Sequence, residues 1–373
     1  VGRSQIEYNA KKGRPMKVLY IGHYKDGTGW GDAAKNNILA LHKAGINVVP
    51  RAISYNDSDS EVDEVILELE KSPTDGCDVC IQHTLPHNYV YDANFKNIGY
   101  IDTETSDFLE TGWHKNINMM DELWVPAEYV KNACVKSGVT IPIKIVPHCI
   151  DVSQYSEDVK GAKVKELNGT FNFVFIGEFT ERKNIKALIR AFHTEFHPRE
   201  NVSLYIKSSG LEVSKLEDYT EAIKKGLKLR SDYKNDLIIS GRIKKEDYIS
   251  ILNQCHCFVM PSRGEGFCIP ALEAMCLGIP SLYTSGIAVE EFAVGEAVNS
   301  RDEPCFGGME SLPNLYTANS TWKEIDISDL QIKMRSQYLK GLSDETRQRC
   351  KEEAKKYSHE NIGKLCKELL NDE

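Results

Sequence analysis

Two glutamates, Glu265 and Glu273, stand with seven residues between them inside PSRGEGFCIPALEAMCLGIP, residues 261–280. The apolar run CFVM leads into this stretch as a buried strand. Pro270 suits the first position of a helix, and Gly278 with Pro280 beyond it suits the helix end. A strand running through a glycine-bearing loop into a helix turns free backbone amides, and the positive end of the helix dipole, toward a cleft. A diphosphate or an electron-rich sugar hydroxyl is held in such a place. Carboxylates accept hydrogen bonds from vicinal hydroxyls. Glu265 on the loop and Glu273 one turn inside the helix offer carboxylates at two depths, one for a sugar and one for a ribose.

Other candidates lie after other apolar runs. Arg182 and Lys183, in IGEFTERKNIKALIRAF (176–192), read on their own equally as solvated charges at a helix entry and as functional cations. In DGTGWGDAAKNN (26–37), Gly29, Trp30 and Gly31 connect a strand to a helix, and glycines there let a backbone approach a ligand. Trp30 reads equally as a sugar-stacking ring and as packing for the loop. The stretch is not the G-x-G-x-x-G dinucleotide pattern, and the second strand runs into Arg51 rather than an acidic residue. Glu104, in YIDTETSDFLETGW (100–113), either hydrogen-bonds a sugar hydroxyl or caps the next helix. His148 reads as structural. Asp57 and Asp59 spell Asp-Ser-Asp, the letters of a metal-diphosphate motif, but in SYNDSDSEVDE they read as a solvated loop and helix start. No metal is expected.

The elements that must position these groups alternate. Strands are expected at KVLYIGH, INVVPRAI, CDVCIQH, NIGYID, ELWVP and IKIVPH, with intervening helical faces such as Ala34, Ile38 and Leu41. The apolar pattern lapses across 151–169, an interdomain linker. A second series follows: FNFVFIGEF, a helix through Ile185, Leu188, Ile189 and Phe192, then NVSLYIKSS, DLIISGRI, CFVMPS and IPSLYT. Alternating strands and helices imply parallel sheets covered on both faces. The fold class is α/β, with two facing Rossmann-like domains and a cleft between them. The expected units are a flexible leader or expression remnant (1–15), an acceptor-side domain (16–160), a donor-binding domain (161–355) and a terminal helix (356–373) able to cross back to the first domain.

The stretch 261–280 resembles the E-x7-E region of retaining glycosyltransferases of family 4, which have the glycosyltransferase-B fold. Gly266, Phe267, Pro270, Ala274, Gly278 and Pro280 match the pattern around the two glutamates. Residues 176–192 are similar to the family's strand–loop–helix for the donor diphosphate, with Lys183 at the usual lysine and Glu178 where a basic residue is common. The glycine-rich loop after the first strand also resembles that of the family, which borders donor phosphate and acceptor. The histidine common near Thr103–Glu104 is absent.

The resemblance implies a sugar-nucleotide donor, a hydroxyl acceptor (glycan, lipid-linked sugar, protein or small molecule) and retention at the anomeric carbon. Glu273 then binds ribose. Glu265 and the amides of Gly266, Phe267 and Cys268 bind the transferred sugar, with Ser262 and Arg263 beside them. Lys183 and Arg182 stabilise the leaving diphosphate, whose phosphate helps deprotonate the acceptor. Neither glutamate is a nucleophile, and no cofactor is needed. Rival readings are a sugar-nucleotide epimerase of the same architecture and a non-catalytic carbohydrate-binding protein. The E-x7-E pattern argues against the first, and the retention of Glu265, Glu273 and Lys183 against the second.

Composition narrows the field further. The 373 residues suffice for two α/β domains. The net charge of −9 argues against a nucleic-acid partner. Eleven cysteines, an odd count with several inside apolar runs, read as buried thiols, including the lone Cys77-x-x-Cys80. No run is long and apolar enough for a transmembrane segment, and no secretory segment leads the chain, so the expected location is the cytoplasm.

Overall fold

The computed structural model describes residues 16–54, 61–308 and 312–371. The stretch 1–15 and the Asp57–Asp59 motif lie outside the described residues. The first unit runs β1 (Lys17–Gly22), α1 (Gly29–Lys43), β2 (Asn47–Ala52), α2 (Glu64–Glu70), β3 (Val79–His83), β4 (Lys96–Tyr100), α3 (Trp113–Ile117), β5 (Glu122–Val125), α4 (Glu128–Lys136) and β6 (Ile143–Ile145). Its six strands are all parallel, in the order β2-β1-β3-β4-β5-β6.

The second unit runs β7 (Phe171–Ile176), α5 (Ile185–Glu195), β8 (Val202–Ser208), α6 (Val213–Leu227), β9 (Leu237–Ser240), α7 (Lys245–Leu252), β10 (Cys257–Met260), α8 (Ile269–Cys276), β11 (Ser281–Thr284) and β12 (Gly295–Val298). These strands are also parallel, in the order β12-β11-β10-β7-β8-β9. Strands covered by helices on both faces must be apolar throughout. The VCIQH of β3 and the CFVM of β10 are accordingly buried at every position. On α5, Ile185, Leu188, Ile189 and Phe192 all face inward, as their spacing requires.

Strand order reverses between β1 and β3 in the first sheet and between β7 and β10 in the second. Such a reversal leaves a crevice beyond the carboxyl ends of the strands, because the helices following the two central strands depart to opposite faces. The loops 177–184 and 261–268, which follow β7 and β10, therefore flank the second crevice.

An antiparallel ribbon, β13 (Ser300–Pro304) with β14 (Thr321–Ile325), follows, and then α9 (Ile327–Lys340), α10 (Asp344–Lys355) and α11 (His359–Asn371). The last helix returns to the first unit. Its Ile362, Cys366 and Leu370 join a core with Ile38 and Leu41 of α1, and Lys367 Nζ donates to the Ala44 carbonyl at 3.0 Å. Gly363 lets the two helices touch, since a Cβ there would run into the Ala40 carbonyl oxygen. A bridge between Ile150 and Ser358 sets the two crossings between units side by side.

The close approach of α11 to α1 is testable. Gly363→Val should lower stability by about 1–3 kcal/mol, the usual cost of overpacking a tight contact. Urea denaturation checks it, and an unchanged midpoint would show that α11 does not dock through Gly363.

Candidate active site

Glu265 sits at the second crevice, buried in the loop after β10. Lys183 Nζ lies 2.6 Å from its Oε1 and Arg182 Nη1 lies 3.3 Å from its Oε2. Both cations come from the loop after β7, so the two central strands present opposite charges to each other across the crevice. Burial pushes the Glu265 carboxyl up, but Lys183 and then Arg182 outweigh it and hold the group down at about 2. The loops are also joined through backbone: the Arg263 amide donates to the Arg182 carbonyl at 2.7 Å, and Arg182 Nη1 to the Gly264 carbonyl at 2.8 Å.

The loop after β10 lies directly against the first unit. A Cβ on Gly264 would overlap the Glu104 carbonyl, and one on Gly266 would stand 3.0 Å from Asp102 Cβ. Glu104 is drawn into this contact rather than left at a helix start. Its Oε2 accepts from the Tyr316 hydroxyl at 2.9 Å, and its Oε1 lies 3.7 Å from Arg182 Nη2. Phe267 stacks on Phe292 with ring centroids 4.4 Å apart and turns its edge to His148. Ser262 is fully buried in the same loop. Cys268 precedes α8 with a backbone φ of +92°, a conformation uncommon outside glycine that starts the helix abruptly at Ile269.

Arg263, expected beside the transferred sugar, has its side chain engaged by protein partners. Its Nε donates to Glu324 Oε2 of β14 at 2.5 Å, its Nη1 to the Glu181 carbonyl, and its guanidinium lies over Phe306 and Trp322. With those contacts it straps the loop to the ribbon.

Glu273 lies on α8, where its carboxylate already has three donors. The Tyr155 hydroxyl and Lys245 Nζ reach Oε1, the latter at 3.1 Å, and the Tyr248 hydroxyl donates to Oε2 at 2.5 Å. None of these donors stood out in the sequence. Tyr155 comes from the linker where the apolar pattern lapses, and Tyr248 and Lys245 come from α7. Lys245 is the most accessible of them, with its side chain 45% exposed.

In the first unit, Gly29, Trp30 and Gly31 form the first turn of α1 rather than the loop before it, with Thr28 as its cap. A Cβ on Gly31 would overlap the Asp26 carbonyl, whereas one on Gly29 would meet nothing within 4 Å. Gly31 is thus required by the turn, and Gly29 leaves open space at the helix start. The Trp30 ring packs 5.4 Å from His83 and 6.4 Å from His23. Nearby, His148 Nε2 lies 3.0 Å from Asp102 Oδ1, a pairing of residues from different loops that no motif announced.

The depressed Glu265 titration carries a stability consequence. A carboxyl whose folded value lies below its unfolded value stabilises the fold above the unfolded value, and that stability is lost as pH falls toward the folded one. Glu265→Gln should therefore cost on the order of 3 kcal/mol at pH 7, from the size of the shift. The gap to the parent should narrow as pH falls from roughly 4.5 toward 2. Urea titrations at several pH values measure it, and a pH-independent gap would show that the Lys183 and Arg182 pairing is not its source.

The geometry can be set beside known proteins. Residues 158–299 match the family model described as glycosyl transferases group 1. The serotype-specific mannosyltransferase WbdA of Escherichia coli is 36% identical over 113 residues, 30% of this chain and 13% of that protein. An uncharacterized glycosyltransferase of Methanocaldococcus jannaschii is 25% identical over 253 residues, 61% of this chain and 57% of that one. The chain spans less than two thirds of the length of either curated relative. Among solved structures, a glycosyltransferase from Rickettsia africae aligns with a TM-score of 0.67 at 11% identity, covering 96% of this chain and 100% of that one. Anabaena HepE in complex with UDP and glucose aligns at 0.64 and 12%, with the same coverage. The described chain has the two-domain glycosyltransferase-B fold, and its residues 158–299 are similar to the glycosyl transferases group 1 family.

Proposed function

We propose that this chain transfers a sugar from a nucleoside-diphosphate sugar to a hydroxyl acceptor, with retention at the anomeric carbon. The observation that carries the reading is the buried Glu265 carboxylate set between Lys183 and Arg182 at the strand-order reversal of the second unit. Lys183 and Arg182 meet the charge that develops on the leaving diphosphate, together with amides at the starts of α5 and α8. Glu265, fixed as a carboxylate across the physiological range, accepts hydrogen bonds from hydroxyls of the transferred sugar. The UDP and glucose in the Anabaena HepE structure support a sugar-nucleotide donor.

Glu273 takes the ribose. Its carboxylate is satisfied in the free chain, so a ribose diol exchanges with a protein donor. Lys245 is the one that leaves, because its ammonium regains water at little cost. The first turn of α1, with Gly29 and Trp30, and the loop after β4, with Glu104, border the acceptor, and the leaving phosphate takes the acceptor's proton. No metal is needed for the diphosphate. Eleven buried, unbridged thiols support a reducing compartment, which we propose is the cytoplasm.

The two glutamates separate these roles. Glu273→Ala should weaken binding of a bare nucleoside diphosphate by about 1–3 kcal/mol in calorimetry, the worth of a charge-assisted hydrogen bond. Glu265→Gln should spare that binding and depress turnover. Equal losses from both variants would show that the roles are exchanged or absent.

Lys183→Ala should abolish most turnover even with added Mg2+ or Mn2+, and the parent chain should bind the diphosphate equally well in EDTA. Binding that vanishes on chelation and returns with Mn2+ would move the diphosphate to a metal and make Asp57 and Asp59 the next residues to change.

A further inference from the structure

The first unit contains a group of side chains that the proposed transfer leaves unused. His83 ends β3, Asp102 follows β4 and His148 follows β6. One ligand atom from each of the three lies within 4.8 Å of the others. His148 Nε2 is 3.0 and 3.1 Å from the two oxygens of Asp102, and His83 Nε2 is 3.8 Å from Asp102 Oδ2.

Hydrogen bonding behind the rings decides what occupies the space between them. The Tyr100 hydroxyl has one proton and gives it to the Val146 carbonyl, 2.6 Å away, which has none to return. Toward His148 Nδ1, at 3.2 Å, Tyr100 only accepts, so Nδ1 carries the ring proton. A neutral His148 then aims the lone pair of Nε2 at a carboxylate, two acceptors at hydrogen-bond distance. A positive centre must lie between them. A second proton on His148 would satisfy that contact alone and leave His83 as it is. His83 Nδ1 is occupied by the Tyr20 hydroxyl at 2.7 Å, while its Nε2 is buried without a hydrogen-bond partner and faces the same carboxylate. A single cation satisfies both nitrogens and the carboxylate. Tyr100 takes the Nδ1 proton of His148 from behind, and a cation on His83 Nε2 requires Tyr20, which also receives the Asn37 amide at 3.5 Å, to take the Nδ1 proton of His83 in the same way.

We propose that His83, Asp102 and His148 form a binding site for one divalent cation of the zinc class. Two imidazoles and a carboxylate suit that class and leave a coordination position for water or a hydroxyl. The three side chains belong to the first unit, with Asp102 against Gly266 and His148 against Phe267 of the second, and the proposal does not rest on the proposed transfer.

The test uses the full chain stripped by chelation, then titrated with Zn2+ in a calorimeter, with metal analysis after gel filtration. One tightly held ion per chain is expected. His83→Gln, His148→Ala and Asp102→Asn should each weaken it at least tenfold while circular dichroism stays unchanged. Three different replacements keep the test alive if one fails to fold. Cobalt loading adds a spectroscopic check: visible bands without thiolate charge transfer are expected, and lost in the variants. The proposal is overturned by absence of saturable binding, by a thiolate signature, or by binding that survives all three replacements or depends instead on Asp57 and Asp59.

Discussion

A buried carboxylate cannot be left without cations, and the ion pairing of Glu265 organises the second unit around that need. Its partners arrive on the loop after β7, whose strand neighbours β10 only because the strand order reverses there. The remaining contacts keep this arrangement rigid. The backbone bond from Arg263 to Arg182 ties the loops together, and Glu324 anchors Arg263 from the ribbon. Satisfying the charge and shaping the crevice are therefore one structural problem. The charges that the fold neutralises here are the ones assigned to the proposed diphosphate donor.

The contact between units follows from small residues and shared charge. Gly264 and Gly266 let the loop after β10 rest on Asp102 and Glu104. At α4 the first unit lacks a side-chain cap of its own, and Glu291 of the second supplies one, accepting from the amides of Glu128 and Tyr129 at 2.8 and 2.7 Å. A carboxylate at a helix start satisfies orphan amides and the dipole together.

Much of this was legible in the chain. Buried parallel strands are apolar throughout, so runs such as CFVM and FNFVFI announced themselves. Pro270 and Gly278 marked the helix that carries Glu273, observed as Ile269–Cys276. Other features left no local trace. The ribbon strands SRDEP and TWKEI lack strict alternation, and neither was read as a strand. The pairing of Arg263 with Glu324 left no local signal, because the two stand 61 positions apart. The donors around Glu273 and the pairing of Asp102 with His148 likewise depend on tertiary folding, which spacing does not encode. The role proposed for Lys183 came from resemblance, and the structure adds its proximity to Glu265.

The most direct test of the account is a crystal structure of the chain with a nucleoside diphosphate bound. The account predicts phosphate oxygens within hydrogen-bond reach of Lys183 Nζ and the Arg182 guanidinium, and ribose hydroxyls on the Glu273 carboxylate with Lys245 moved aside. A diphosphate lodged elsewhere, with Tyr155, Tyr248 and Lys245 still closed on Glu273, would contradict it.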